Sequence, residues 1–272
     1  MNTWHIALRE VKIGFRNPWA YSFMALFTLF SLSLQLINAQ NFTSGYSSAT
    51  SNMLNLILYL LPLMTLLIGS FSLTSEKEEG SWQLLSTYPV STLSYITGKY
   101  AGLTAVLLTV ISFGYGISSL IGIAAGSSLE LNTFVMIFVF SGGLVLLFLA
   151  IALWIGTVAG NRWQALTYGV AVWFFAIIGW PTLFIAFLGL LPYLWVKPVL
   201  VAFTLCNPAE LVRLFVVVKL GGGSALGPEY YEWIKWIGSS SGTWGFIAIC
   251  LLWIGAAVGF ARWSWERGRY RG

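Results

Sequence analysis

Residues 75–99 read SEKEEGSWQLLSTYPVSTLSYITGK and stand between two long apolar runs. Glu76, Glu78 and Glu79 fall close together here. At the centre of a bilayer each carboxylate would cost roughly 2.5 to 3.5 kcal/mol, so the stretch is expected to be an aqueous loop at or beyond the membrane interface. Ser75 followed by Glu78 has the form of a capping box, which predicts a helical turn opening at this point. Trp82 and Leu85 would share one face of that turn. Pro89 cannot continue a helix and biases Tyr88 out of the α region, so the turn should end there. A second helix is expected from Ser91 through Lys99 into the following apolar run, giving a compact knob with a proline elbow.

Working outward, the rest of the chain is membrane-like. It has 272 residues, of which 58% are hydrophobic and only 8% charged, against about 25% charged in soluble domains. The predicted class is an all-α polytopic membrane protein. Runs long enough to cross the hydrocarbon core lie at 18–37, 53–73, 100–125, 133–158, 165–189 and 244–261. The first run superficially resembles a signal peptide, but it is too long for a typical apolar core and is expected to be retained.

Ahead of it, Trp4, Leu8, Val11 and Phe15 form one helical stripe, and His5, Arg9, Lys12 and Arg16 another. This predicts an amphipathic helix over 1–17 lying in the headgroup plane; a cap packed on other helices is the alternative. With both termini cytoplasmic, the inner segments hold Arg9, Lys12, Arg16, Lys77, Lys99, Arg162, Arg262, Arg267, Arg269 and Arg271, and the outer ones only Lys197, Arg213, Lys219 and Lys235. The positive-inside rule therefore puts the 74–99 loop in the cytoplasm. The basic residues do not cluster on a soluble face, so membrane orientation explains the +5 net charge and no nucleic-acid partner is expected.

Residues 190–243 are too apolar for a free loop and too broken for a span, with Pro192, Pro198, Pro208, Gly221 to Gly223 and Gly227-Pro228. Short helices dipping into the outer leaflet are expected, a straight seventh span near 196–220 being the alternative. Asn207-Pro208 predicts an N-cap with proline at N1, and Glu210 with Arg213 an i, i+3 pair. These four residues are candidates for a gate or a contact with an extracytoplasmic partner; a solvated, capped helix is the plainer reading.

The word E-x-E-E-G-S-W-x-L-L-x-x-Y-P at 76–89, with Gly98-Lys99 beyond it, resembles the cytoplasmic loop of ABC-2 type transporter permeases. The Thr-Tyr-Pro element and Asn-Pro-Ala-Glu-Leu-Val-Arg-Leu at 207–214 resemble the branch of that family that holds the nitrous-oxide-reductase maturation permeases. The resemblance implies one transmembrane domain over 1–272 in the bacterial or archaeal plasma membrane, with re-entrant helices between the fifth and sixth spans. It also implies a coupling helix that docks on a separate ATP-binding subunit. Carried onto this chain, the docking residues are Glu76, Glu78, Glu79, Gly80, Trp82, Leu85, Tyr88 and Pro89. Two ATPase copies, a second permease copy and an extracytoplasmic accessory protein are the implied partners. Export of a lipid, peptide or drug is the alternative output, and a passive scaffold or channel the rival from another class.

The chemistry the sequence lacks agrees with a subunit that is not itself an enzyme. Gly98-Lys99 is followed by Tyr100, and Leu93 stands where a P-loop needs glycine, so ATP and Mg are expected in the partner and no cofactor in this chain. The six runs hold no Asp, Glu, Lys or Arg to couple to an ion gradient. One histidine and two separated cysteines make no metal site or disulfide framework.

Overall fold

The computed structural model describes residues 3–38, 46–80, 91–124 and 131–269. At its centre is the most apolar of the long helices, numbered α5 in chain order (Leu131–Val158), hydrophobic on every side and buried at Phe140, Leu144, Val145 and along Leu147 to Leu153. A helix without a polar face belongs inside a bundle. Around it pack α3 (Ser48–Glu78), α4 (Thr92–Ala124), the α6 segment (Arg162–Phe174) and α11 (Ser240–Arg269). The first span, α2 (Pro18–Asn38), lies mainly against α4. Over the described residues, each of the six predicted runs coincides with a helix or a continuous helical path.

The fifth span is a composite. After α6 comes a π-helical segment, Phe175–Gly179, and then α7 (Trp180–Leu188). Beyond it, α8 (Tyr193–Cys206) and α9 (Pro208–Lys219) meet at a bend of 109°. Two 3-10 turns and α10 (Tyr231–Gly238) complete this end. The region is thus a string of short helices, and no straight span runs through 196–220. Pro208 holds Asn207 at φ −118° and ψ 112°, out of the helical region, as the residue before a proline must be.

The N-terminal helix α1 (Thr3–Gly14) is amphipathic, but its buried face is Ile6, Ala7 and Glu10, not the tryptophan-led stripe; Trp4 is 68% exposed. It presses on α4, where Gly98 and Gly102 sit one turn apart. A Cβ on Gly98 would lie 2.8 Å from Ile6, and one on Gly102 2.6 Å from the Ala7 carbonyl oxygen. Small residues at this spacing let two helices touch backbone to backbone. The Trp4 and Leu8 side is left facing outward, so α1 caps the bundle and leaves an apolar stripe exposed.

Gly102→Val should therefore push α1 off α4. Overpacking of this kind costs about 1 to 3 kcal/mol, and here the obstacle is a rigid carbonyl. The expected result is a lowered melting temperature and rapid proteolysis within α1. Gly116→Ala, where a Cβ meets nothing within 4 Å, should leave both unchanged or slightly improved.

Candidate site at the polar end of the bundle

The predicted capping box at Ser75 and Glu78 does not open a helix. Those residues lie in the last turns of α3, which continues past the apolar run to Glu78, and the Ser75 hydroxyl donates to the Phe71 carbonyl at 2.7 Å. Extending an existing helix adds one bond per residue, whereas a new helix must pay for its nucleus. The stop comes from Gly80 at φ +71°, its N–H bonded to the Lys77 carbonyl at 3.3 Å, a left-handed residue that glycine takes without penalty. The next helix does begin as expected, with the Ser91 hydroxyl accepting the Ser94 N–H at 3.2 Å.

Carrying α3 past the apolar run to Glu78 gives its charged residues structural partners. Glu76 is buried: its carboxylate pairs with Arg9 of α1 at 3.1 Å and Lys99 of α4 at 3.2 Å, and accepts the Tyr95 hydroxyl. Lys99, with 1% of its side chain exposed, also meets Glu10 at 2.8 Å, whose side chain is 2% exposed. Ser72 donates to Glu10 at 3.0 Å and receives the Lys99 ammonium at 2.8 Å. Two acids and two bases thus neutralise one another where α1, α3 and α4 converge. Their desolvation is tolerated because each charge is both paired and hydrogen-bonded.

The next two residues cap helices of opposite polarity. The Lys77 ammonium donates to the carbonyls of Gly156, Thr157 and Ala159 at 2.7 to 2.9 Å, at the C-terminal end of α5. Glu78 accepts the backbone N–H of Arg162 at 2.8 Å and its guanidinium at 3.0 Å, at the first turn of α6. A cation at a helix C-terminus and an anion at an N-terminus are each stabilised by the helix dipole and satisfy groups the helix leaves unbonded. Asn161 completes the start of α6 by accepting the Gln164 N–H at 2.8 Å. Trp265 of α11 stacks on Tyr95 with 5.2 Å between centroids and lies under the Lys77 ammonium.

Of the acidic docking candidates, Glu76 and Glu78 are thus held in contacts within the chain, whereas Glu79 is 63% exposed with a 3.4 Å reach to Arg162, and Gly80 is exposed. Trp82, Leu85, Tyr88 and Pro89 lie outside the described residues. Glu10, Ser72, Lys77, Tyr95, Lys99 and Arg162 join the site without having been singled out as site residues by the sequence. A cavity of about 460 Å³ opens beside this network, lined by Arg9, Arg16, Glu76, Glu79 and Arg162 among others.

At the other end, Asn207 caps α9 as predicted, accepting the Ala209 N–H at 2.9 Å with Pro208 at N1, and Glu210 pairs with Arg213 at 3.4 Å. Asn207 and Pro208 are buried and the ion pair half-buried. Burial, with the Glu210 carboxylate nearby, raises the Tyr230 phenol above its ordinary value. The surface here belongs to Glu229, Tyr231, Glu232 and Lys235, with Glu232 3.7 Å from Lys197.

A bundle of membrane-length helices, an amphipathic N-terminal helix and a broken helical pair before the last span define a multispan membrane domain. The model for the family described as ABC-2 family transporter protein matches residues 4–268, and the chain belongs to that family. It is similar to the probable ABC transporter permease protein NosY of Pseudomonas aeruginosa, 28% identical over 97% of this chain and 98% of that protein. A second relative with the same description, from Stutzerimonas stutzeri, is 27% identical over 82% of this chain and 84% of its own length. Permeases of this family are transport subunits in the membrane, not catalysts, and work with an ATP-binding subunit.

Proposed function

We propose that this chain is the membrane half of an ATP-driven assembly in which two copies span the plasma membrane with both termini in the cytoplasm. An ATP-binding subunit docks on each at residues 79–89 and supplies ATP, Mg and hydrolysis. The observation that carries this reading is the way α3 ends. Glu76 ties it to α1 and α4, Lys77 to the end of α5, and Glu78 to the start of α6. A push applied at Glu79 and Gly80 is thereby shared among four other helices.

The output is mechanical work on an extracytoplasmic accessory protein, in the manner of nitrous-oxide-reductase maturation, through the surface around Tyr231 and Glu232. The relatives named NosY favour this reading. Outward movement of an amphiphile is the second reading. It is favoured by an apolar cavity of about 230 Å³ among α2, α3, α4 and α6, lined by Phe27, Ser31, Ile57, Tyr115 and Trp173.

Co-purification separates both readings from a passive scaffold. The tagged chain should bring down a P-loop subunit in equal stoichiometry, and its presence should raise that subunit's ATPase rate. Isolation as a permease dimer with no nucleotide-binding partner would favour the scaffold.

A further inference from the structure

The π-helical segment of the fifth span leaves one backbone group without a partner in its own helix. The Trp180 N–H bonds to the Phe175 carbonyl, the i to i−5 register that defines this geometry. In that register the carbonyl of Ala176 would receive the N–H of residue 181, which is Pro181 and has none. In the α register it would receive the Trp180 N–H, which is already used. An unbonded carbonyl inside a membrane protein is costly. The Asn207 side chain fills the gap: its Nδ2 donates to the Ala176 carbonyl at 2.7 Å, while its Oδ1 holds the Ala209 N–H at 2.9 Å. Asn207 is 2% exposed.

We infer that Asn207 is a positioning residue: it supplies the hydrogen-bond donor that Pro181 removes from the fifth span, and so locks the 109° helical elbow to the π-helical break. One amide side chain then serves two helices at once, as the cap that starts α9 and as the missing rung of the fifth span. Neighbouring contacts act in the same sense. The Trp180 indole donates to the Phe203 carbonyl at 3.3 Å, and Phe203 stacks on Phe184 and Phe187 at 5.1 and 5.7 Å. The Trp253 indole of α11 takes the Leu205 carbonyl at 2.9 Å, so the end of α8 is bonded from both flanking spans. The elbow and the outer half of the fifth span are thereby one unit, and a displacement of either carries the other. A buried Asn207 also presents no surface to an outside protein; its part in any output is to hold the elbow.

The inference is independent of what the elbow acts on, and its test needs no partner. Asn207→Ser keeps a capping oxygen but is too short to reach Ala176. Pro181→Ala returns the N–H that Asn207 replaces. Hydrogen exchange of the amides at 209–217 would be followed for both variants and their combination in full-length protein in nanodiscs. Asn207→Ser should speed exchange at least tenfold in the native background and less than threefold when added to Pro181→Ala. Equal acceleration in the two backgrounds, or none in either, would overturn the inference. Should Asn207→Ser not fold, Pro181→Ala alone decides: releasing Asn207 from its second duty should speed exchange in 209–217 several-fold, and unchanged exchange would count against the lock.

Discussion

Lys99→Met is expected to be the most damaging single substitution in the described structure. It leaves Glu10 facing Ser72 with no cation and leaves Glu76 with Arg9 alone. Removing one partner of a buried ion pair costs about 3 to 5 kcal/mol because the other charge remains buried, which corresponds to a fall of roughly 10 °C in melting temperature for a chain this size. The four charges of the network, Arg9, Lys99, Glu10 and Glu76, sum to zero, so the loss should be largely an excess negative charge. Combining Lys99→Met with Glu10→Gln restores the balance, and the double variant should recover at least half of the lost melting temperature. Strict additivity of the two losses would mean that the ion pair is not what holds α1 to α4.

The second large effect is expected in activity. Glu79 is exposed and its link to Arg162 is a surface contact, worth about 0 to 1 kcal/mol to the fold. Glu79→Lys combined with Trp82→Ala should therefore leave the melting temperature within a few degrees of the parent. If the segment beyond Gly80 is the docking element, the same variant removes an aromatic anchor. Such anchors contribute about 2 kcal/mol or more to an interface, which is roughly a thirtyfold loss of affinity. Stimulated ATPase activity at limiting permease should fall by at least tenfold. Glu76→Gln should do the reverse, lowering stability through the buried network. A variant set in which stability and stimulation fall together would show that this segment acts only by holding the bundle.

The contrast between Glu76 and Glu79 shows what the sequence can and cannot reveal. Hydropathy located the membrane helices because burial in lipid demands long uninterrupted apolar runs. Asn207-Pro208 was legible as a cap because its reason is local. The direction of the acidic side chains was not, since Glu76 turns inward only through Arg9 and Lys99, which lie in distant parts of the chain. The capping-box reading of Ser75 and Glu78 failed for the same reason: the local pattern is genuine, but Lys77 and Glu78 find ends of α5 and α6 to bind, and those bonds draw α3 onward. Glu10 carried one faint signal, as an acid among the basic residues of α1. Pro181, inside an apolar run, carried another: a proline within a span implies a freed carbonyl that something must satisfy.

On this account an ATP-binding subunit grips the membrane domain at the segment that follows Glu79. The most direct measurement is photo-cross-linking from an unnatural amino acid placed at Glu79, in inner membranes that contain the whole assembly. The expected product is one dominant adduct with the P-loop subunit, its yield changing between the ATP-bound and nucleotide-free states. An adduct formed only with an extracytoplasmic protein, or an ATPase complex isolated intact with no adduct from this position, would contradict the claim.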